Sequence, residues 1–139
     1  MSDGALRLAA ALLALAGIAI SLYLTITWYD DSIPVCVGGS GGCEKVQTSD
    51  YADWAGVPVA LVGAIGYALI LASLAVPGDS GRMVGVLLGL VGIGFSAYLT
   101  YLELFVIDAI CQWCVASAVV MTVLAAVMVA RFLRAPAPG

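Results

Sequence analysis

Histidine is missing from this 139-residue chain. Its absence excludes an imidazole general base, a haem His ligand and a mixed Cys/His zinc site. Ser-His and Cys-His nucleophile pairs within the chain are excluded with them. Chemistry must come from thiols, carboxylates, hydroxyls or a borrowed cofactor. Charge is scarce as well. Charged residues make up 10% of the sequence, against about 25% in a soluble domain. That is too little polar surface to cover a soluble globule. Basic residues are the rarest charged type, five against nine acidic, for a net charge of −4. A nucleic-acid binder needs a basic face, so that class is excluded too. What fills the chain instead is apolar, 63% of it. The length suits one domain, and the composition makes it a membrane domain spanning residues 1–139.

Four apolar segments run at about residues 5–28, 57–76, 83–107 and 111–133. Each reaches the roughly 20 residues that cross about 30 Å of hydrocarbon as a helix. Lipid cannot satisfy backbone polar groups, so a closed helix or a closed barrel is required. Barrel strands alternate apolar and polar residues over about ten positions, and these runs do not. The expected fold is an all-α four-helix transmembrane bundle with a long outer loop over residues 29–56. The first run is too long for a cleaved signal peptide, and no small-residue cleavage motif follows Trp28–Asp31.

The charges set an orientation. Arg7, Arg82, Arg131 and Arg134 fall on one side if the four helices alternate, with Arg82 in the short turn between spans two and three. Lys45 falls on the other side, among Asp30, Asp31, Glu44, Asp50, Asp53 and Asp108. The positive-inside rule then places both termini in the cytoplasm and the outer loop outside an inner or plasma membrane. Gly85 and Gly89 form a small-xxx-small pair, which suits close helix approach within the bundle or between chains.

All four cysteines fall on or near the outer side. Cys36 and Cys43 flank the flexible stretch Val37-Gly38-Gly39-Ser40-Gly41-Gly42, which lets the two thiols meet or part easily. Cys111-Gln112-Trp113-Cys114 opens the fourth span. Its two thiols lie three residues apart on one helical face. A helix start carries partial positive charge, and a C-x-x-C placed there is of the reactive kind. Three readings compete: a redox relay, a pair of structural disulfides in a non-catalytic membrane subunit, and a four-cysteine zinc site. The relay accounts best for a C-x-x-C at a helix start. The glycine-rich gap is longer than the usual zinc knuckle, and no metal is expected. A relay needs an electron sink, and a lipid-soluble quinone at the membrane end of span four supplies one. Cys114, deeper than Cys111, is the better placed to reduce it.

Two carboxylates stand near this pair. Glu103 is the one acidic residue inside an apolar run, near the outer end of span three, and Asp108 shortly precedes Cys111. Ionisable groups in a span are functional candidates by default. Without histidine, a carboxylate or water must supply the protons that quinone reduction consumes. Asp108 also suits a helix cap. Tyr51, Asp53 and Trp54 read as a short amphipathic segment over the bundle, with Trp54 either at the membrane interface or capping a quinone.

Together these features resemble the vitamin K epoxide reductase family in its small prokaryotic form. The resemblance is carried by Cys36 and Cys43, Ser49, Gly56-Val57-Pro58-Val59, and the stretch from Ser96-Ala97-Tyr98-Leu99 to Cys111-Gln112-Trp113-Cys114. It covers about residues 10–130. It implies that a separate thioredoxin-like (DsbA-like) extracytoplasmic partner passes electrons to Cys36. From there they move through Cys43 and a transient Cys43–Cys111 bond to Cys114 and a membrane quinone, menaquinone, ubiquinone or similar. The net result would be disulfide formation in exported proteins. The resemblance implies a loop-positioning or quinone-site role for Ser49, which also suits a helix cap. Vertebrate members carry quinone-contacting Asn and Tyr where, by offset from Gly56 and Cys114, this chain has Ala52 and Ala118, so the resemblance leaves vitamin K epoxide reduction open. A DsbB-like disulfide oxidase is the alternative scaffold, but that family has its C-x-x-C in the first outer loop and the spaced pair in the second, the reverse of the order here.

Overall fold

The computed structural model describes residues 3–29, 53–54, 57–76, 78–106 and 112–134. Four α-helices dominate it: α1 (Asp3–Tyr29), α2 (Val59–Ser73), α3 (Gly78–Tyr101) and α4 (Gln112–Leu133). A π-helical turn, Leu102–Val106, continues α3. A two-residue antiparallel ladder precedes α2. Its strands, β1 (Asp53–Trp54) and β2 (Val57–Pro58), pair Asp53 with Pro58 and Trp54 with Val57. The amphipathic segment expected around Trp54 is therefore a strand where it is described.

Three helices are long and apolar enough to cross a membrane: Gly4–Tyr29, Gly78–Val106 and Gln112–Leu133. The second expected span is shorter than the sequence suggests. α2 has 15 residues, or ~22 Å at 1.5 Å per residue, against about 30 Å of hydrocarbon. Its two ends have physical causes. Pro58 precedes the helix in extended conformation, φ −63° and ψ 139°, and proline has no N–H to extend a ladder backwards. At the other end the chain turns through Leu74–Val76, and Gly78 takes φ +80°, a conformation that side chains resist. The next helix starts at Gly78, five residues earlier than expected. Arg82 consequently sits within α3 rather than in the connecting turn.

Packing follows narrow stripes. On α1 the buried positions Leu6, Ala10, Ala14, Gly17, Ser21 and Leu24 recur every three or four residues. α2 buries Ala64, Tyr67, Ile70 and Ser73, and α4 buries Met121, Leu124, Ala125 and Met128. These stripes meet in one core of Ala10, Ala14, Tyr67, Ile70, Leu124 and Met128. α1 packs on both α2 and α4, α3 lies along α4, and α2 touches α3 more lightly.

Glycines let the helices approach. A Cβ on Gly17 would overlap the Tyr67 ring, one on Gly85 the Met128 methyl, and one on Gly89 would press on Ala125. The Gly85/Gly89 pair thus serves the α3–α4 contact inside one chain. Large apolar side chains face outward instead, among them Leu8, Leu12, Leu87, Val91, Phe105 and Val119. Glycines at the helix contacts and large apolar residues facing outward suit a bundle whose solvent is lipid. Hydroxyl side chains in the helices bond back to their own backbone, as in Thr25 to the Ser21 carbonyl (2.7 Å) and Ser73 to the Ile70 carbonyl (2.6 Å). No water is needed to satisfy them.

Candidate functional site

A cavity of about 330 Å³ lies between α2, α3 and α4, with Ser21 and Leu24 of α1 at its edge. That is the low end of the range for small-molecule pockets. The lining is mostly apolar: Val59, Val62, Ile70, Leu88, Phe95, Leu99 and Met121 contribute. A few polar residues interrupt it, among them Cys114, Glu103, Tyr67, Ser96, Thr100 and Ser117. Ile65, Leu69 and Val91 line it and are also exposed on the outer faces of α2 and α3. The cavity therefore opens sideways, toward the surroundings of the bundle.

Cys114 sits in the first turn of α4, which begins at Gln112. Its neighbour Trp113 packs on Tyr23 of α1, ring centroids 5.0 Å apart and planes tilted by 57°. Both Trp113 and Cys114 join a small cluster around Leu24 with Ile20, Tyr23 and Ala60. This aromatic contact ties the start of α4 to α1. The thiol is half-buried and borders the cavity.

Glu103 enters the same cavity from α3. Gly85, Gly89, Gly92, Ser96 and Leu99 follow one another at three- and four-residue steps, and Glu103 is the next residue on that face. It lies in the π-turn and is 5% exposed. The sequence suggested a carboxylate near water at the outer end of the span. The structure instead tucks it inward, into the lining shared with Cys114. π-turns inside α-helices are frequent at functional sites.

Tyr67 and Ser117 were not picked out from the sequence. The Tyr67 hydroxyl lies 2.8 Å from the Ser117 carbonyl, to which it donates, and 2.9 Å from Ser117 Oγ. This is a bridge from α2 to α4, one helical turn beyond Cys114. Polar side chains at regular offsets inside apolar runs were the available signal. Thr100 Oγ1 donates to the Ser96 carbonyl at 2.8 Å. Gly66 also lines the cavity, and a Cβ there would meet nothing within 4 Å.

Cys36, Cys43, Ser49, Asp108 and Cys111 lie outside the described residues, as does Ala52. Trp54 is described only as backbone, in β1. Ala118 lines the cavity.

The Vitamin K epoxide reductase family model matches residues 8–129. The chain belongs to this family. The match takes in most of α1 and α4, all of α2 and α3, and residues 30–56 between α1 and α2. With three helices able to cross a bilayer, it makes the protein a multi-pass membrane redox enzyme. Among the described residues, the vitamin K epoxide reductase fold thus contributes one thiol and one carboxyl to a single apolar cavity.

Proposed function

We propose that the protein is a thiol:quinone oxidoreductase. Electrons enter from a separate thioredoxin-like partner at Cys36 and pass through Cys43 to the Cys111/Cys114 pair. They leave from Cys114 to a membrane quinone. The carrying observation is the cavity that Cys114 borders. Its apolar walls suit a quinone ring, its few polar groups suit the ring oxygens, and its sideways opening suits a ligand that arrives from lipid. The fit rests on these side chains, and Ser49 and Trp54 remain proposed loop or quinone contacts.

The chemistry is thiol–disulfide exchange followed by a two-electron transfer. Exchange proceeds by thiolate attack on a disulfide sulfur, driven by differences in potential. The Tyr23–Trp113 contact holds the first turn of α4, so the Cys114 sulfur keeps its place while Cys111 exchanges with Cys43. The Tyr67–Ser117 bond ties α2 to the next turn of α4. The proposed outcome is disulfide formation in exported proteins, with both termini in the cytoplasm and the cysteines outside.

The test uses purified full-length protein in lipid nanodiscs with dithiothreitol as donor and a short-tailed quinone as acceptor. The protein should bleach the quinone catalytically, and Cys114→Ala should abolish it. Thiol trapping of Cys36→Ala should capture a Cys43–Cys111 disulfide. Failure to reduce any quinone with any dithiol donor overturns the proposal.

A further inference from the structure

We infer that Glu103 is the acid that delivers a proton to the acceptor in the cavity, a catalytic role nothing in the relay of thiols supplies. The inference rests on the thiol:quinone reading above. Glu103 and Cys114 line one cavity from two different helices, α3 and α4. The proposed electron donor and a carboxyl-bearing residue thus border the same space. The chain has no histidine, so no imidazole can serve.

The other polar groups of the lining are poor candidates. Phenols ordinarily titrate near 10, and aliphatic hydroxyls release protons less readily still. Cys114 is the electron donor. A glutamic acid carries one O–H donor when protonated and accepts when ionised, so it can give a proton and take one back. Its placement on the π-turn, a feature enriched at functional sites, is a second observation in the same direction.

The step balances. As the Cys111/Cys114 dithiol becomes a disulfide, two S–H bonds are lost, the S–S bond forms, and two electrons and two protons are released. Both electrons pass to the quinone, which is reduced to the quinol. One proton goes from the Glu103 carboxyl to a ring oxygen, and the other comes from water. The two protons released by the thiol pair restore the Glu103 carboxyl and the water, so no further reductant or oxidant is required.

Single-turnover mixing tests this. Full-length protein in nanodiscs is reduced with dithiothreitol, desalted and mixed with a short-tailed quinone. Glu103→Gln should slow quinone reduction by about 10²–10⁴-fold, the usual contribution of general acid catalysis. Its quinone affinity should stay within about threefold, and Glu103→Asp should recover much of the rate. A Glu103→Gln rate within about threefold of the parent overturns the inference. If the Gln variant does not fold, infrared difference spectra of the parent and Glu103→Asp decide. A carboxyl band that changes during the reaction and moves in the Asp variant supports the role. Spectra without a carboxyl change at position 103 overturn it. A parent protein that reduces no quinone overturns the thiol:quinone reading instead, so the two failures are distinct.

Discussion

At the residue scale, the site depends on where small and polar side chains meet. Gly17 gives the Tyr67 ring its place, and Tyr67, 1% exposed, carries a hydroxyl across to Ser117. Removing that hydroxyl in Tyr67→Phe should lower stability by about 0.5–1.5 kcal/mol, read as a lower midpoint in detergent unfolding. Gly17→Val should cost about 1–3 kcal/mol by overpacking the same ring. A thermal midpoint equal to the parent's in both variants would contradict the bridge. Gly66 gives the converse case. Its Cβ would point into open space, so Gly66→Leu should fold normally and raise the KM for quinone about tenfold. An unchanged KM would mean that the ligand sits elsewhere. The value of Cys114 was readable in the C-x-x-C, because thiol chemistry announces itself by residue type and spacing. Tyr67 and Ser117 were not readable, because they lie 50 positions apart and only helix packing brings them together.

At the element scale, the four apolar runs do become four helices, and their order in the chain matches the expectation. Their lengths differ for local reasons. Pro58 and the turn beyond Leu74 shorten α2 at both ends, while α3 begins at Gly78 and runs on into a π-turn. Hydropathy measures how apolar a stretch is, and it has no term for where a backbone can start or stop a ladder. Gly85 and Gly89 were readable as a close-packing pair, but their partner was not. The structure seats them against Met128 and Ala125 of α4. Gly89→Leu should therefore weaken the α3–α4 contact by about 1–3 kcal/mol. Gly94→Leu, where a Cβ meets nothing within 4 Å, should be nearly silent. Equal losses in the two variants, measured as unfolding midpoints in the same detergent, would refute the assignment.

At the scale of the whole molecule, charge and bulk are sorted in two directions. Many large apolar side chains lie on the outside, with Val91 70% exposed and Leu133 75%, while the core mixes Ala10 and Ala14 with Tyr67, Ile70, Leu124 and Met128. Along the bilayer normal, the proposed topology places Arg7, Arg82, Arg131 and Arg134 on the cytoplasmic side. Cysteines introduced singly at Ser2 and Ser80 in a chain lacking Cys36, Cys43, Cys111 and Cys114 should resist an impermeant maleimide in intact cells. One retained at Cys43 should label. Labelling at Ser2 with protection at Cys43 would invert the orientation.

The sequence by itself determined the class of the protein, the family to which it belongs and the thiols proposed to carry its chemistry. Those properties follow from composition and from spacing along one chain, which packing does not alter. The tertiary structure decided which side chains share a cavity. Glu103 and Cys114 are eleven positions apart on different helices, and the fold of α3 against α4 is what gives both of them a place in one apolar lining. Periodicity could put Glu103 on a face, but only the contact between helices could say what that face meets.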